Sequence, residues 1–140
     1  ERPHIESMTR HCEDCADIKF LGKQEQMEDI LPIADLFLLP SEYESFGLAA
    51  LEAMAAEVPV ISTNAGGLPE INVNGYSGYM SDIGDVEDMA ANAVKVLEND
   101  ETHRKFKKQA LAQAKKFDIQ HIIPTYEAMY TRLLETSTAS

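Results

Sequence analysis

Residues 39–70 read LPSEYESFGLAALEAMAAEVPVISTNAGGLPE, and this stretch decides the fold. Leu36 to Leu39 (LFLL), closed by Pro40, and Val58 to Ser62 (VPVIS) are short runs that are apolar on both faces. Such runs suit buried parallel strands better than half-exposed antiparallel ones. Between them, from near Phe46 to near Glu57, Leu48, Leu51, Met54 and Ala55 recur at helical spacing. That predicts a helix, with Phe46 and Leu48 packing in the core. Ala65-Gly66-Gly67 then makes a turn. Strand, helix and strand in this order predict an α/β domain, a Rossmann-like parallel sheet flanked by helices.

The flanks extend the pattern. Upstream, Asp17 to Leu21 (DIKFL) predicts a short strand stopped by Gly22, and Glu25 to Ala34 a short helix whose last turn Pro32 strains. Ile5, Met8 and Cys12 share one helix face. Downstream, Leu68 to Val73 predicts one or two helical turns, broken at Asn74-Gly75, and Tyr76 to Met80 a fourth strand. Three amphipathic helices follow, over Val86–Leu97, Thr102–Phe117 and Ile119–Leu134. The last carries Ile122, Ile123, Tyr126, Met129, Tyr130 and Leu133, more apolar groups than one surface face needs, and is expected to be partly orphaned. Residues 1–134 form one partial domain on this reading, with 135–140 a frayed tail. Four strands are few for such a domain, and the chain starts at Glu1 inside a helical pattern. We expect an excised piece, with the first strands lying upstream.

Composition narrows the function. The 140 residues include 12 basic and 24 acidic side chains, a net charge of −12. A polyanion is repelled, which argues against nucleic-acid and anionic-membrane partners. No apolar run reaches the ~18 residues of a membrane span. Two cysteines are no disulfide framework, so a reducing cytoplasm is expected. Cys12-x-x-Cys15, near His4 and His11, lacks the second pair of ligands a structural zinc needs, and it sits toward a helix end instead of opening a helix after a strand. A metal or redox role is therefore not assigned to it. His103 and His121 have no serine or carboxylate partner in view. Asp82, Asp85, Glu87 and Asp88 read as helix N-terminal charge near Asp85. Lys105, Lys107, Lys108, Lys115 and Lys116 read as a solvated face.

The chemistry lies in Glu44 and Glu52, separated by seven residues with Ser45-Phe46-Gly47-Leu48 between them. Glu44 falls in a loop over the C-terminal end of a strand, where open α/β sheets bind ligands. A helix starts near Gly47, and its unpaired amides favour an anion such as a diphosphate. Glu52 lies roughly 7 Å further along that helix. A carboxylate accepts two hydrogen bonds at once, as a vicinal diol requires. The arrangement describes a nucleotide-sugar: ribose near Glu52, diphosphate over the amides around Gly47, sugar hydroxyls at Glu44.

Glu44-x7-Glu52 with Ser-Phe-Gly-Leu inside it, then LEAMA, VPVI and GGLPE, resembles the donor-binding domain of family 4 retaining glycosyltransferases of GT-B architecture. The match runs densely from Ile18 to Met80. The phrasing FLGKQ…ADLFLLPSEYESFGL is similar to members that pass N-acetylglucosamine from UDP to L-malate. The resemblance implies that Glu52 holds the ribose hydroxyls of UDP, and that Glu44 holds donor-sugar hydroxyls and acts as the catalytic carboxylate. It implies that the backbone of Phe46, Gly47 and Leu48 meets the sugar and phosphates, and that Leu21-Gly22-Lys23 reads the uracil edge. Residues 62–67 with Pro69-Glu70 would support the site. It further implies a small-molecule acceptor, an N-terminal GT-B domain bearing the acceptor groups, front-side attack assisted by the leaving diphosphate, and no metal or resident cofactor. This piece alone is then expected to be inactive. Two departures stand out. The family's phosphate-clamping Arg and Lys have no counterpart here, and its Cys-Gly after the Glu52 helix is replaced by Ala56-Glu57, costing about 1 kcal/mol if Glu57 takes a left-handed C-cap. Other hexosyl- or mannosyltransferases of the family, a nucleotide-sugar epimerase of the same fold, and a non-enzymatic regulatory α/β module are the alternatives. The last would place a phosphorylatable Asp at a strand end, and Asp35 lies before its strand.

Overall fold

Val60 and Ile61 are neighbours on one strand, face opposite ways, and are both fully buried. A strand covered on both faces needs layers on each side. The computed structural model describes residues 2–10, 12, 15 and 17–118. Its elements are α1 (Arg2–Arg10), α2 (Met27–Ile30) with a 3-10 turn at Leu31–Ile33, β1 (Phe37–Leu39), α3 (Leu48–Ala55), β2 (Val60–Thr63), α4 (Leu68–Ile71), β3 (Gly78–Ser81), α5 (Val86–Leu97) and α6 (Asp100–Lys115).

The sheet has the order β1-β2-β3. Both pairings are parallel: Phe37 lies opposite Val60 and Leu39 opposite Ser62, while Val60 lies opposite Gly78 and Thr63 opposite Ser81. Parallel neighbours require crossovers, and α3 and α4 supply them. On one face Val60 packs with Ala50, Ala53 and Met54 of α3 and with Leu68 and Ile71 of α4. On the other, Ile61 packs with Val96 of α5 and Phe106 of α6. The α/β parallel-sheet reading therefore holds.

Helix ends follow local chemistry. Asp85 caps α5 by accepting from the Asp88 amide at 3.0 Å, and Asn99 caps α6 by accepting from Thr102 at 2.9 Å. At the end of α3 the Val58 amide donates to Ala53 O at 2.9 Å and Glu57 to Met54 O at 3.1 Å, while Glu57 has φ +63°. This is the left-handed C-cap expected from Ala56-Glu57, made without glycine. Pro32 ends α2 after one turn and the chain tightens to 3-10 geometry.

Several expectations are corrected. Asp17 to Leu21 forms no strand: among the described residues it pairs with no strand, and Ile18, Phe20 and Leu21 are exposed. An unpaired extended segment cannot satisfy its backbone groups in a ladder, so apolar content alone does not make a strand. The described sheet has three strands, not four. β1 lies at its edge, and Leu38 is half exposed where burial on both faces was expected. Phe46 and Leu48 are 49% and 62% exposed, and Ala55 is also exposed. The buried face of α3 is Ala50, Ala53 and Met54, because the left-handed Gly47 starts the helix two residues later than expected and turns Leu48 outward. The two cysteines, read as no disulfide framework and as pointing to a reducing compartment, are joined as Cys12–Cys15. That bridge closes a loop of one turn and constrains little of the unfolded chain. The predicted helix Ile119–Leu134 and the tail lie outside the described residues.

Candidate functional site

The chain leaves β1 at Leu39 and runs over the sheet edge through Pro40 to Phe46 before α3 begins. Gly47 makes the turn into the helix. Its φ of +84° is a conformation that favours glycine, and a Cβ there would sit 3.0 Å from Leu68 Cδ2 and 3.1 Å from Ile71 Cδ1. The loop is tied to the neighbouring strand, since Thr63 Oγ1 donates to Ser41 O at 2.5 Å.

Glu44 is half-buried in this loop, and its Oε1 accepts from the Gly47 amide at 3.1 Å. The carboxylate thus folds back onto the start of α3. Gly47 is the N-cap residue and brings no side chain, so no side-chain cap occupies the first-turn amides of α3. They keep the partial positive charge of a helix N-terminus.

Glu52 lies on the exposed face of α3. It lines a cleft of about 620 Å³ together with Glu25, Met27, Glu28, Leu31, Ala55 and Ala56. Three carboxylates and no basic side chain line this cleft. It repels phosphate and offers acceptors to hydroxyls and N–H groups. Among the described residues, no group of three or more His, Cys, Asp or Glu side chains is arranged to hold a metal ion.

Of the residues singled out from the sequence, Glu44 and Gly47 are joined by a hydrogen bond, and Phe46 and Leu48 flank them exposed. Only Glu52 lines the cleft. Leu21, Gly22 and Lys23 are exposed just before Glu25, and Lys23 approaches the Glu25 carboxylate at 3.9 Å. Sequence reasoning included Thr63 only as part of the supporting run 62–67 and missed Asn72. Asn72 is fully buried; its amide group reaches Val60 O, Ser62 Oγ and Tyr79 O at 3.0–3.1 Å and its Oδ1 accepts from Ser77 Oγ at 2.8 Å. It binds the end of α4 to β2 and β3. The only signal in the sequence was a polar residue between Ile71 and Val73.

Comparison with known proteins gives a consistent result. The family described as "Glycosyl transferases group 1" matches residues 2–113. N-acetyl-alpha-D-glucosaminyl L-malate synthase of Bacillus anthracis is 41% identical over 125 residues, covering 89% of this chain and 32% of that protein. The O-antigen chain mannosyltransferase B of Escherichia coli is 38% identical over 102 residues, covering 71% of this chain and 26% of that protein. Among solved structures, sucrose-phosphate synthase from Thermosynechococcus elongatus superposes with a TM-score of 0.80 at 26% identity, over 96% of this chain and 35% of that one. The chain spans about a quarter to a third of the length of these relatives.

Proposed function

The chain belongs to the group 1 glycosyl transferases, and from that premise we propose that it is the donor-binding part of a retaining transferase acting on UDP-N-acetylglucosamine and a small acceptor, L-malate being the first to test. The observation that carries this is the placement of the two glutamates. Glu44 is held against the start of α3 by the Gly47 amide, and Glu52 lines the acidic cleft further along the same helix. The uncapped amides lie between them. Ribose hydroxyls donate to Glu52, the diphosphate meets the helix N-terminus, and the sugar hydroxyls donate to Glu44. The 41% identity to an enzyme named for N-acetylglucosamine and malate supports the choice of donor and acceptor.

In this reading the first-turn amides after Gly47 take the phosphate oxygens, since Gly47 itself serves Glu44. Leu21-Gly22-Lys23, just upstream of the cleft, would meet the uracil edge. The acceptor and the basic phosphate clamp come from the rest of the protein, an N-terminal domain of GT-B type included. Attack occurs on the face from which the diphosphate leaves, and Glu44 orients the sugar while positive charge develops on its ring. No metal or resident cofactor enters the scheme. No helix among the described residues is long and apolar enough to cross a membrane. We place the protein in the cytoplasm, where nucleotide-sugars are available. The 140-residue chain alone should not turn over, because the acceptor must be held against the anomeric carbon.

The test is the full-length protein with UDP-N-acetylglucosamine and L-malate. An α-linked product supports the proposal. Transfer only from a mannose donor would favour the second reading, which the mannosyltransferase relative supports. Epimerised donor without transfer would overturn both.

A further inference from the structure

The turn from β2 to α4, Asn64-Ala65-Gly66-Gly67, lies directly on the loop that carries Glu44. A Cβ on Gly66 would stand 1.5 Å from the carbonyl oxygen of Glu44 and 2.7 Å from its carbonyl carbon. A Cβ on Gly67 would stand 2.9 Å from Ser45 O and 3.3 Å from Phe46 Cα. Both sets of facing atoms are backbone, so no side chain can swing aside. Two more ties run the same way. Thr63, just before the turn, holds Ser41 O, and Leu68 and Ile71, just after it, pack under Gly47. These four ties fall on residues 41–47, and none of Thr63, Gly66, Gly67, Leu68 and Ile71 lines the Glu52 cleft.

We propose that Gly66 and Gly67 are positioning residues for Glu44: their missing side chains let the turn seat the Glu44–Phe46 backbone and so set the height of the Glu44 carboxylate above the sheet edge. This rests on the assignment of Glu44 to the donor sugar. The two glycines differ usefully. Gly66 has φ +52°, so alanine there adds left-handed strain to the clash. Gly67 has φ −80°, so alanine there adds only the close contact with Ser45 O. Gly84 has φ +85° with nothing within 4 Å, so alanine there adds only the strain. To bring the Glu44 carbonyl out to 3.0 Å from a Cβ at position 66, the loop must move about 1.5 Å, whereas Gly67→Ala needs a few tenths of an ångström. A misplacement near 1 Å in a catalytic constellation costs on the order of 100-fold in rate.

The experiment uses the full-length protein, measuring UDP release from UDP-N-acetylglucosamine with L-malate and UDP affinity by calorimetry. Gly66→Ala should lower kcat on the order of 100-fold and Gly67→Ala roughly tenfold or less, both leaving UDP affinity within about twofold. Gly84→Ala should leave kcat unchanged while lowering Tm. Should Gly66→Ala fail to fold, Gly67→Ala carries the test in a second background. Combined with Glu44→Ala, it should cost nothing further, because the seat acts through Glu44. If Gly67→Ala lowers kcat by the same factor with and without Glu44, or lowers UDP affinity as much as kcat, the seat is overturned while the role of Glu44 stands. If Glu44→Ala itself turns over normally, the sugar-holding role fails and the purpose of the seat with it.

Discussion

Replacing Glu57 by glycine should stabilise the protein by about 1 kcal/mol. Glu57 is the non-glycine residue with positive φ among the described residues, at +63°, and it closes α3 through the bonds from Glu57 and Val58 back to Met54 and Ala53. The left-handed conformation costs an L-residue roughly 1–2 kcal/mol, which glycine avoids. Glycine gives back about 0.5–1 kcal/mol through the larger entropy of the unfolded chain. Removing a negative charge from the C-terminal end of a helix adds about 0.3 kcal/mol. The Glu57 side chain is exposed and makes no hydrogen bond or ion pair with the described residues, so no contact is lost. In urea, with m of about 1–3 kcal/mol/M, the midpoint should rise by roughly 0.3–1 M at unchanged m. Glu57→Ala is the control: it removes the charge and keeps the strained φ, so it should recover no more than about 0.3 kcal/mol. Equal stability of the glycine and alanine variants would refute the strain account.

Asn72→Ala should destabilise the protein by about 3 kcal/mol in urea unfolding, because it leaves buried acceptors on Val60, Ser62 and Tyr79 sharing no donor. A loss under about 1 kcal/mol would show that water replaces the amide. Asp85→Ala removes the cap of α5 and should cost about 1 kcal/mol, with Asp85→Asn recovering most of it. Met54→Ala should cost about 2–5 kcal/mol from a fully buried site, whereas Leu48→Ala, at 62% exposure, should stay within about 0.5 kcal/mol. A large cost at Leu48 would return that residue to the core.

The middle of the chain was legible because its patterns leave few solutions. VPVIS is apolar on consecutive positions, which only a strand covered on both sides accommodates, and β2 is that strand. The departure at Ala56-Glu57 also read correctly, since α3 closes through a left-handed residue and Glu57 takes that conformation without being glycine. Errors arose where a local pattern was asked to report a distant partner. DIKFL has strand composition but no strand beside it among the described residues. Phe46 and Leu48 have core composition, yet one glycine dihedral decides which way α3 faces. The site showed the same division. Glu44 and Glu52 stand out by spacing, and Glu44 accepts from an amide only three residues on, whereas the glycine turn under the loop depends on contacts between residues 21 to 22 apart. No spacing rule carries that information.

The central claim is that one helix divides the donor between two carboxylates, Glu52 for the nucleotide and Glu44 for the sugar. Calorimetric titration of the full-length protein with UDP alone tests it most directly. Hydrogen bonds to a charged group are worth about 1.5–3 kcal/mol, so Glu52→Gln should weaken UDP by roughly 10- to 150-fold. On the proposed division, Glu44→Gln should leave UDP affinity within about twofold, since UDP carries no sugar for Glu44 to meet. Equal weakening by the two substitutions, or an unmodified protein that does not bind UDP, would contradict the account.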